Sequence, residues 1–125
     1  MKFDSNMPIY IQVMNMIKGQ IVSGELQSED KLPSVRDLAV LLKVNPNTIQ
    51  RTYQELEREG LAITQRGLGR YVVADMERTE MLRSDMCGEL IKGFLGEMTA
   101  LGFSQKEIVE MLKRDIEIIT NKVQL

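Results

Sequence analysis

The apolar positions in residues 8 to 24 recur at intervals of four, at Ile9, Val13, Ile17 and Ile21. This spacing places them on one side of a helix, so the segment predicts an α-helix with a single apolar face. Pro8 suits the first turn of a helix, and Gly24 suits its end. The polar stretch that follows ends at Pro33 and predicts a loop, in which Leu32 is directed inward.

Two shorter helices are predicted next, each from a start signal. Ser34 and Asp37 are three residues apart, a spacing at which each side chain can bond the other's backbone amide. Asn45 and Pro46 start another helix, because Asn accepts a bond from an early helical amide and Pro has no amide to leave unpaired. This helix is predicted to reach about Glu59. Its inward face would be Ile49, Tyr53 and Leu56.

A hairpin pattern follows directly. Residues that favour strands flank a tip with two glycines, Arg66-Gly67-Leu68-Gly69, and predict strands over residues 61–65 and 70–74. Arg66 and Arg70 stand at the two sides of this tip. Two short helices followed at once by such a hairpin are the elements of a winged helix-turn-helix, which can set one helix in a DNA major groove with a loop beside it.

The remainder, residues 76–125, has a helical pattern again. One helix is predicted from Met76 to about Leu101, and a capping box of Ser104 and Glu107 starts a last helix that reaches about Lys122. Two helices so rich in apolar residues cannot bury themselves as an isolated pair. They predict a partner, most simply a second copy of the chain.

The predicted fold is therefore mainly α with a small β-hairpin. It consists of an N-terminal winged helix-turn-helix over residues 1–75 and a C-terminal two-helix dimerisation region over residues 76–125.

Composition removes most enzyme chemistry from consideration. The chain has no histidine and a single cysteine, Cys87, so it lacks the commonest general base and the residues of a zinc site. We expect no cofactor, no metal and no enzymatic activity. The short apolar runs and the start of the chain predict neither a membrane span nor a signal peptide, so we expect a cytoplasmic protein.

The distribution of charge is more informative than the net charge of −2. Acidic residues are missing between Asp37 and Glu55, and again between Glu59 and Asp75. These two windows hold Arg51 and both hairpin arginines, whereas residues 76–125 carry nine acidic and seven basic residues. Phosphate contacts are therefore expected only from the N-terminal part.

These segments resemble the GntR family of bacterial transcription regulators. The resemblance rests on PIYIQVMNMIKGQIVSGEL, KLPSVRDLA, VNPNTIQRTYQELEREGL and QRGLGRYVV in fixed order, and it covers residues 8–74. The short C-terminal region resembles that of the YtrA subfamily, which implies dimerisation through its two helices and control of a transporter operon.

The resemblance also implies site residues. It makes Arg36 a DNA contact at the start of the second helix. The helix that starts at Pro46 would be the recognition helix, with Thr48 and Gln50 as contacts. The hairpin would be the wing, with Arg66 and Gly67 as its contacts. Where many relatives have arginine, this chain has Pro46 and Gln50.

The helical pattern adds further candidates at the outward N-terminal end of the recognition helix. We expect Asn47, Thr48 and Gln50 to provide sequence preference. Contacts to phosphates are expected from Arg36, Arg51, Arg66 and Arg70.

Other interpretations stay open at this point. Arg36 could be an ordinary surface residue paired with an acid, and Arg51 could pair with Glu55 one turn away. The two partners expected are double-stranded DNA and a second copy of the chain, and nothing in the pattern supports a small-molecule effector. We predict a repressor that binds an inverted-repeat operator as a homodimer. The alternative is a winged-helix adaptor that binds protein rather than specific DNA.

Overall fold

The structure, a computed structural model, describes residues 2–123. In that range it contains five helices and one antiparallel pair of strands: α1 Ile9–Val22, α2 Val35–Leu42, α3 Pro46–Arg58, β1 Ala62–Gln65, β2 Gly69–Val72, α4 Met76–Ala100 and α5 Gln105–Val123. The mainly α fold with a small hairpin is confirmed. The chain forms two compact units, which divide within α4 between Arg83 and Ser84.

The predicted helix starts are confirmed by their capping bonds. Asn45 Oδ1 accepts a hydrogen bond from the amide of Asn47 at 2.8 Å, and Ser104 and Glu107 form a reciprocal pair at 2.9 and 3.2 Å. At α2 the hydroxyl of Ser34 accepts from the Asp37 amide at 3.0 Å. The return bond expected there is absent from the described part of the chain; an aspartate side chain is one methylene shorter than that of the glutamate in α5.

One apolar core holds α1, α2, α3 and the hairpin together. The predicted inward face of α3 is buried, with Ile49 and Tyr53 fully inaccessible and Leu56 nearly so. The side chains of Val13 and Ile17 on α1 pack into the same cluster. Leu32, expected to point inward from the loop, is also buried. Burial of this apolar face supplies the main stabilisation of α3. It therefore also determines which face of α3 remains exposed to solvent.

The hairpin is shorter than predicted. β1 pairs with β2 in the register Ala62↔Val72 and Gln65↔Gly69. The second strand was expected to continue to residue 74, but the amide of Ala74 donates instead to the hydroxyl of Ser28 at 3.1 Å. This bond takes the chain away from β1 and toward the start of α4.

The first two turns of α4 belong to the N-terminal unit. Arg83 Nη2 donates to the carbonyl of Val22 at 3.0 Å, and Arg78 Nη1 donates to the carbonyl of Gly60. Both bonds use carbonyls close to the C-terminal ends of α1 and α3, where the last carbonyls of a helix have no intrahelical partner. The beginning of α4 is thereby fixed to the winged domain.

The second unit consists of the rest of α4 and of α5. No residue of α4 is buried, and in α5 only Ile108 is buried among the described residues. Large apolar side chains in this unit are 37 to 75% exposed: Leu90, Ile91, Phe94, Leu95, Leu101, Val109, Leu112, Ile116, Ile118 and Ile119. Within residues 2–123, no helix combines the length and the apolar character that a membrane span requires.

Candidate nucleic-acid interface

The solvent face of α3 is polar along its first two turns. Asn47 and Arg51 are exposed, and Gln50 is half-buried beside them. Gln54 follows Gln50 by four residues, and it is also exposed, so it extends the same face. Sequence reasoning missed Gln54, although its spacing from Gln50 was the signal that could have found it.

Thr48, like Gln50, is less exposed than Asn47 and Arg51. It is half-buried, and its carbonyl accepts a hydrogen bond from the Thr52 hydroxyl at 2.8 Å. The start of α3 presents early helical amides, with the one of Asn47 already bonded to Asn45. This end of the helix therefore combines a positive dipole end with amide and hydroxyl side chains, a combination that suits phosphates and base edges.

Arg51 is held by a tyrosine and does not pair with Glu55, the alternative left open by the sequence. Its guanidinium carbon lies 3.8 Å from the centroid of the Tyr10 ring, and Nη2 donates to the Tyr10 hydroxyl at 3.2 Å. Glu55, the partner of Arg51 in the alternative interpretation, pairs with Arg58. The charge of Arg51 is consequently stacked on a ring but not neutralised by a carboxylate.

Arg36 occupies the first turn of α2, where its side chain is exposed. The interpretation that it pairs with a neighbouring acid finds no support, because no carboxylate of residues 2–123 lies within 4.0 Å of its guanidinium. A tight turn, in which Lys43 is left-handed with φ 58°, joins the other end of α2 to α3.

The tip of the hairpin carries Arg66 and Gly67, both exposed. Gly67 has φ +78°, a backbone conformation that side chains disfavour, so the glycine is needed for the turn itself. No heavy atom lies within 4 Å of a Cβ built at Gly67, which leaves its backbone open to close approach. In the described chain Arg66, like Arg36, has no carboxylate within 4.0 Å.

Arg70 has a different environment from the other three candidate arginines. Its Nε donates to Glu57 Oε1 at 2.9 Å, and the side chain is only 21% exposed. The hydroxyl of Thr64 donates to the same Glu57 oxygen. Arg70 also lies over Tyr53, 5.1 Å from the ring centroid. The charge of Arg70 is therefore paired within the protein, and this ion pair joins the hairpin to α3.

Tyr53 connects α3 to the loop before α2. Its hydroxyl donates to the carbonyl of Pro33 at 2.7 Å, so the LPS segment is held against α3. Burial raises the pKa of Tyr53 to about 12, while the nearby positive charge of Arg70 acts in the opposite direction. The hydroxyl is therefore protonated throughout the neutral range and acts as a donor.

The basic side chains of the N-terminal unit fall into two groups. Five are within 4.0 Å of a carboxylate: Lys18, Arg58, Arg70, Arg78 and Arg83. The others have no such partner among residues 2–123: Lys2, Lys31, Arg36, Lys43, Arg51 and Arg66. Apart from Lys2, the second group is located around α2, on α3 and at the hairpin. Lys31 and Lys43 were not among the sequence candidates.

No group of three or more His, Cys, Asp or Glu side chains in residues 2–123 is arranged to hold a metal ion. Cys87 is exposed on α4.

Comparison with known proteins gives a consistent result. Residues 9–72 match the model of the bacterial regulatory proteins of the gntR family. The chain is 43% identical over 112 residues to YhcF, an HTH-type transcriptional regulator of Bacillus subtilis, covering 90% of this chain and 93% of YhcF. It is 36% identical over 110 residues to the transcriptional repressor YtrA of the same organism, covering 87% of this chain and 85% of YtrA.

A solved structure is similar over nearly its whole length. The GntR family transcriptional regulator from Listeria monocytogenes superposes with a TM-score of 0.80 at 43% identity, covering 90% of this chain and 98% of that one.

The fold and the exposed polar surface of α3 thus define a winged helix-turn-helix transcription regulator with an N-terminal DNA-binding domain. The chain belongs to the GntR family of bacterial regulatory proteins, and it is YtrA-like in its short helical C-terminal region.

Proposed function

We propose that two copies of this chain bind an inverted-repeat operator in the cytoplasm and repress transcription from it. The similarity to a repressor, YtrA, over most of both chains supports repression over activation. The protein's two-fold symmetry would be matched by that of the operator, with one α3 in the major groove of each half-site.

The proposed base contacts are on the first turns of α3. The amides of Asn47 and Gln50 can each donate and accept, which suits bidentate pairing with a base edge. The side chain of Thr48 is shorter, so a contact to a base or a sugar-phosphate at closer range is assigned to its hydroxyl. We add Gln54 as a fourth candidate, because it shares the exposed face with Gln50.

The proposed phosphate contacts are the arginines without a carboxylate partner. Arg36 and Arg51 would contact the backbone on either side of the groove that holds α3, and Arg66 with the backbone of Gly67 would contact it at the hairpin. The bond to Glu57 favours a different role for Arg70, which we assign to holding the wing at its angle to α3. It is the one sequence candidate whose charge is already compensated within the domain.

We assign dimerisation to residues 76–125 and DNA binding to residues 1–75. The apolar side chains of Ile91, Phe94 and Leu95 on α4 and of Leu112, Ile116 and Ile119 on α5 are 37 to 58% exposed. A monomer in water would leave this stripe hydrated, whereas a second copy would bury it without any further component. By the resemblance to the YtrA subfamily, a transporter operon is the proposed target. Nothing observed supports an effector ligand.

The observation that carries the proposal is the group of arginines on α2, α3 and the hairpin tip that lack a carboxylate partner. Arg36, Arg51 and Arg66 have no carboxylate within 4.0 Å among residues 2–123, whereas Arg58 on α3 and Arg70 on β2 are each paired with a glutamate of α3. An unpaired cation keeps its full attraction for phosphate, and this explains how a chain with a net charge of −2 can bind DNA.

The test is a titration of the protein into labelled duplex from its own promoter region, at two salt concentrations and with random duplex as competitor. The proposal expects binding that resists the competitor and weakens as salt is raised. Binding equal to that of the random duplex would favour the adaptor alternative.

A further inference from the structure

Lys31 belongs to the wing although it lies far from the hairpin in sequence. It forms an antiparallel bridge with Tyr71. On either side of it, the amide of Leu32 donates to the carbonyl of Arg70 at 2.9 Å, and the amide of Val72 donates to the carbonyl of Asp30 at 2.8 Å. Residues 30–32 therefore act as a third strand on the free edge of β2, which fixes the backbone of Lys31.

The side chain of Lys31 crosses the hairpin at Gly69. A Cβ built on Gly69 would lie 2.8 Å from Lys31 Cε and 3.6 Å from Nζ, closer than side chains can pack at the first of these distances. Gly69 also has φ +123°, which favours glycine independently. The absence of a side chain at residue 69 thus provides the space through which the lysine stem passes.

The ammonium group of Lys31 is unpaired at the edge of a groove. No carboxylate of the described residues lies within 4.0 Å of it, and the residue is exposed. The groove has a volume of about 350 Å³ and separates the hairpin from the start of α2. Its lining includes Lys31, Ser34, Thr64, Leu68 and Arg70.

Two features of this groove suit a phosphate group of an extended polyanion. The groove ends at the first turn of α2, where the positive end of the helix dipole attracts negative charge. This attraction is opposed by Asp37 in the same turn, whose amide is already bonded to Ser34. Thr64 and Arg70, on its opposite wall, are engaged with Glu57, so Lys31 is the only lining cation that is free of a carboxylate in the described chain. A lysine whose backbone is held in this place presents one cation to the groove, which suits a contact to the DNA backbone more than to a base edge.

We propose that Lys31 binds a phosphodiester group of the DNA backbone in the groove between the hairpin and α2, held there by its passage over Gly69. This inference rests on the proposed function, since it adds a contact to the same DNA interface. Together with Arg36 and Arg66 it would join the helix contacts to those of the wing along one strand. Because a phosphate carries no base identity, Lys31 would add affinity without adding preference.

The test compares Lys31→Gln, Lys31→Arg and the control Lys92→Gln, which removes an equally exposed lysine from α4 in the second unit. Binding of each variant to promoter duplex and to random duplex is measured across a salt series. For a dimer, Lys31→Gln should lower the slope of log affinity against log salt by about 1.8, which is about 0.9 for each lost phosphate contact. Affinity for both duplexes should fall by the same factor, about tenfold at low salt.

Lys31→Arg should restore the wild-type slope, and Lys92→Gln should leave it unchanged. The melting temperature of each variant shows whether the fold is retained. A wild-type slope in Lys31→Gln, with the wild-type protein binding DNA normally, would overturn the inference and leave the proposed function intact. A loss confined to the promoter duplex would also overturn it, because it would indicate base recognition. Failure of the wild-type protein to bind any duplex would overturn both.

Discussion

The carboxylate of Glu57 on α3 accepts a 2.9 Å hydrogen bond from Nε of Arg70 on β2. This ion pair connects the proposed recognition helix to the wing, with the two side chains 30% and 21% exposed. Because the pair is not at the exposed tip, we expect its main effect to be on the angle between the two proposed DNA-binding elements.

Glu57→Gln tests whether Arg70 positions the wing. The substitution keeps the shape of the side chain but removes the charge that holds Arg70, and we expect promoter affinity to fall by about fivefold, equivalent to about 1 kcal/mol. Anisotropy titration measures the change. Glu55→Gln is the matched control, since it removes an equal charge from the same helix but one that pairs only with Arg58. Tighter binding by Glu57→Gln than by the control would show that a released Arg70 contacts phosphate itself.

Gln50 and Arg66 should have different effects on specificity. Gln50→Ala removes a proposed base contact and should relax preference at one position of each half-site, at a cost of about 1 to 3 kcal/mol against the preferred base. Arg66→Ala removes a proposed phosphate contact and should weaken binding to all sequences equally. Titration against a panel of single-base operator variants separates these outcomes. If Gln50→Ala leaves the relative affinities for the operator variants unchanged, Gln50 does not contact a base. If the loss of affinity in Arg66→Ala depends on the sequence, Arg66 does not contact only phosphate.

Tyr53 predicts a loss of stability at high pH. Burial raises its pKa from 10.0 to about 12. Above pH 10.0 the unfolded chain loses this proton while the folded chain retains it, so the stabilisation is complete below that value and is lost as the pH rises toward 12. The expected slope in this window is about 1.4 kcal/mol per pH unit.

Urea unfolding at about pH 9 and about pH 11 measures this dependence. Tyr53→Phe should flatten it, while losing about 1 kcal/mol at neutral pH because the carbonyl of Pro33 no longer receives its hydrogen bond. An equally steep decline in the variant would assign the effect to other groups.

The local start signals could be predicted from sequence because each depends on residues three or fewer positions apart. Asn45 and Ser104 cap their helices as expected. The contacts that define the interface could not be predicted in this way. Arg51 and Tyr10 are separated by 41 residues, and they meet only because α1 and α3 pack through their apolar faces. Lys31 was likewise missed, since an extended segment of three residues has no periodicity of its own.

The exposed stripe of the C-terminal unit predicts that charge at its centre will separate the protomers. Ile116→Glu together with Ile119→Glu should give a monomer in light scattering, because two charges per copy would have to be buried in the seam. Val40→Glu together with Leu41→Glu is the control, as it places the same two charges on apolar residues that are 73% exposed on α2. A dimeric double variant would exclude this face from the interface.

Hydroxyl-radical footprinting of the promoter, with the number of protomers per duplex measured in parallel, tests the central claim most directly. The account predicts two protomers per operator and two protected patches related by two-fold symmetry, with centres about 10 to 10.5 base pairs, or a multiple of this, apart. In Arg66→Ala, protection should weaken more at the flanks of each patch than at its centre. A single protected patch, one protomer per duplex, or protection without symmetry would contradict the account.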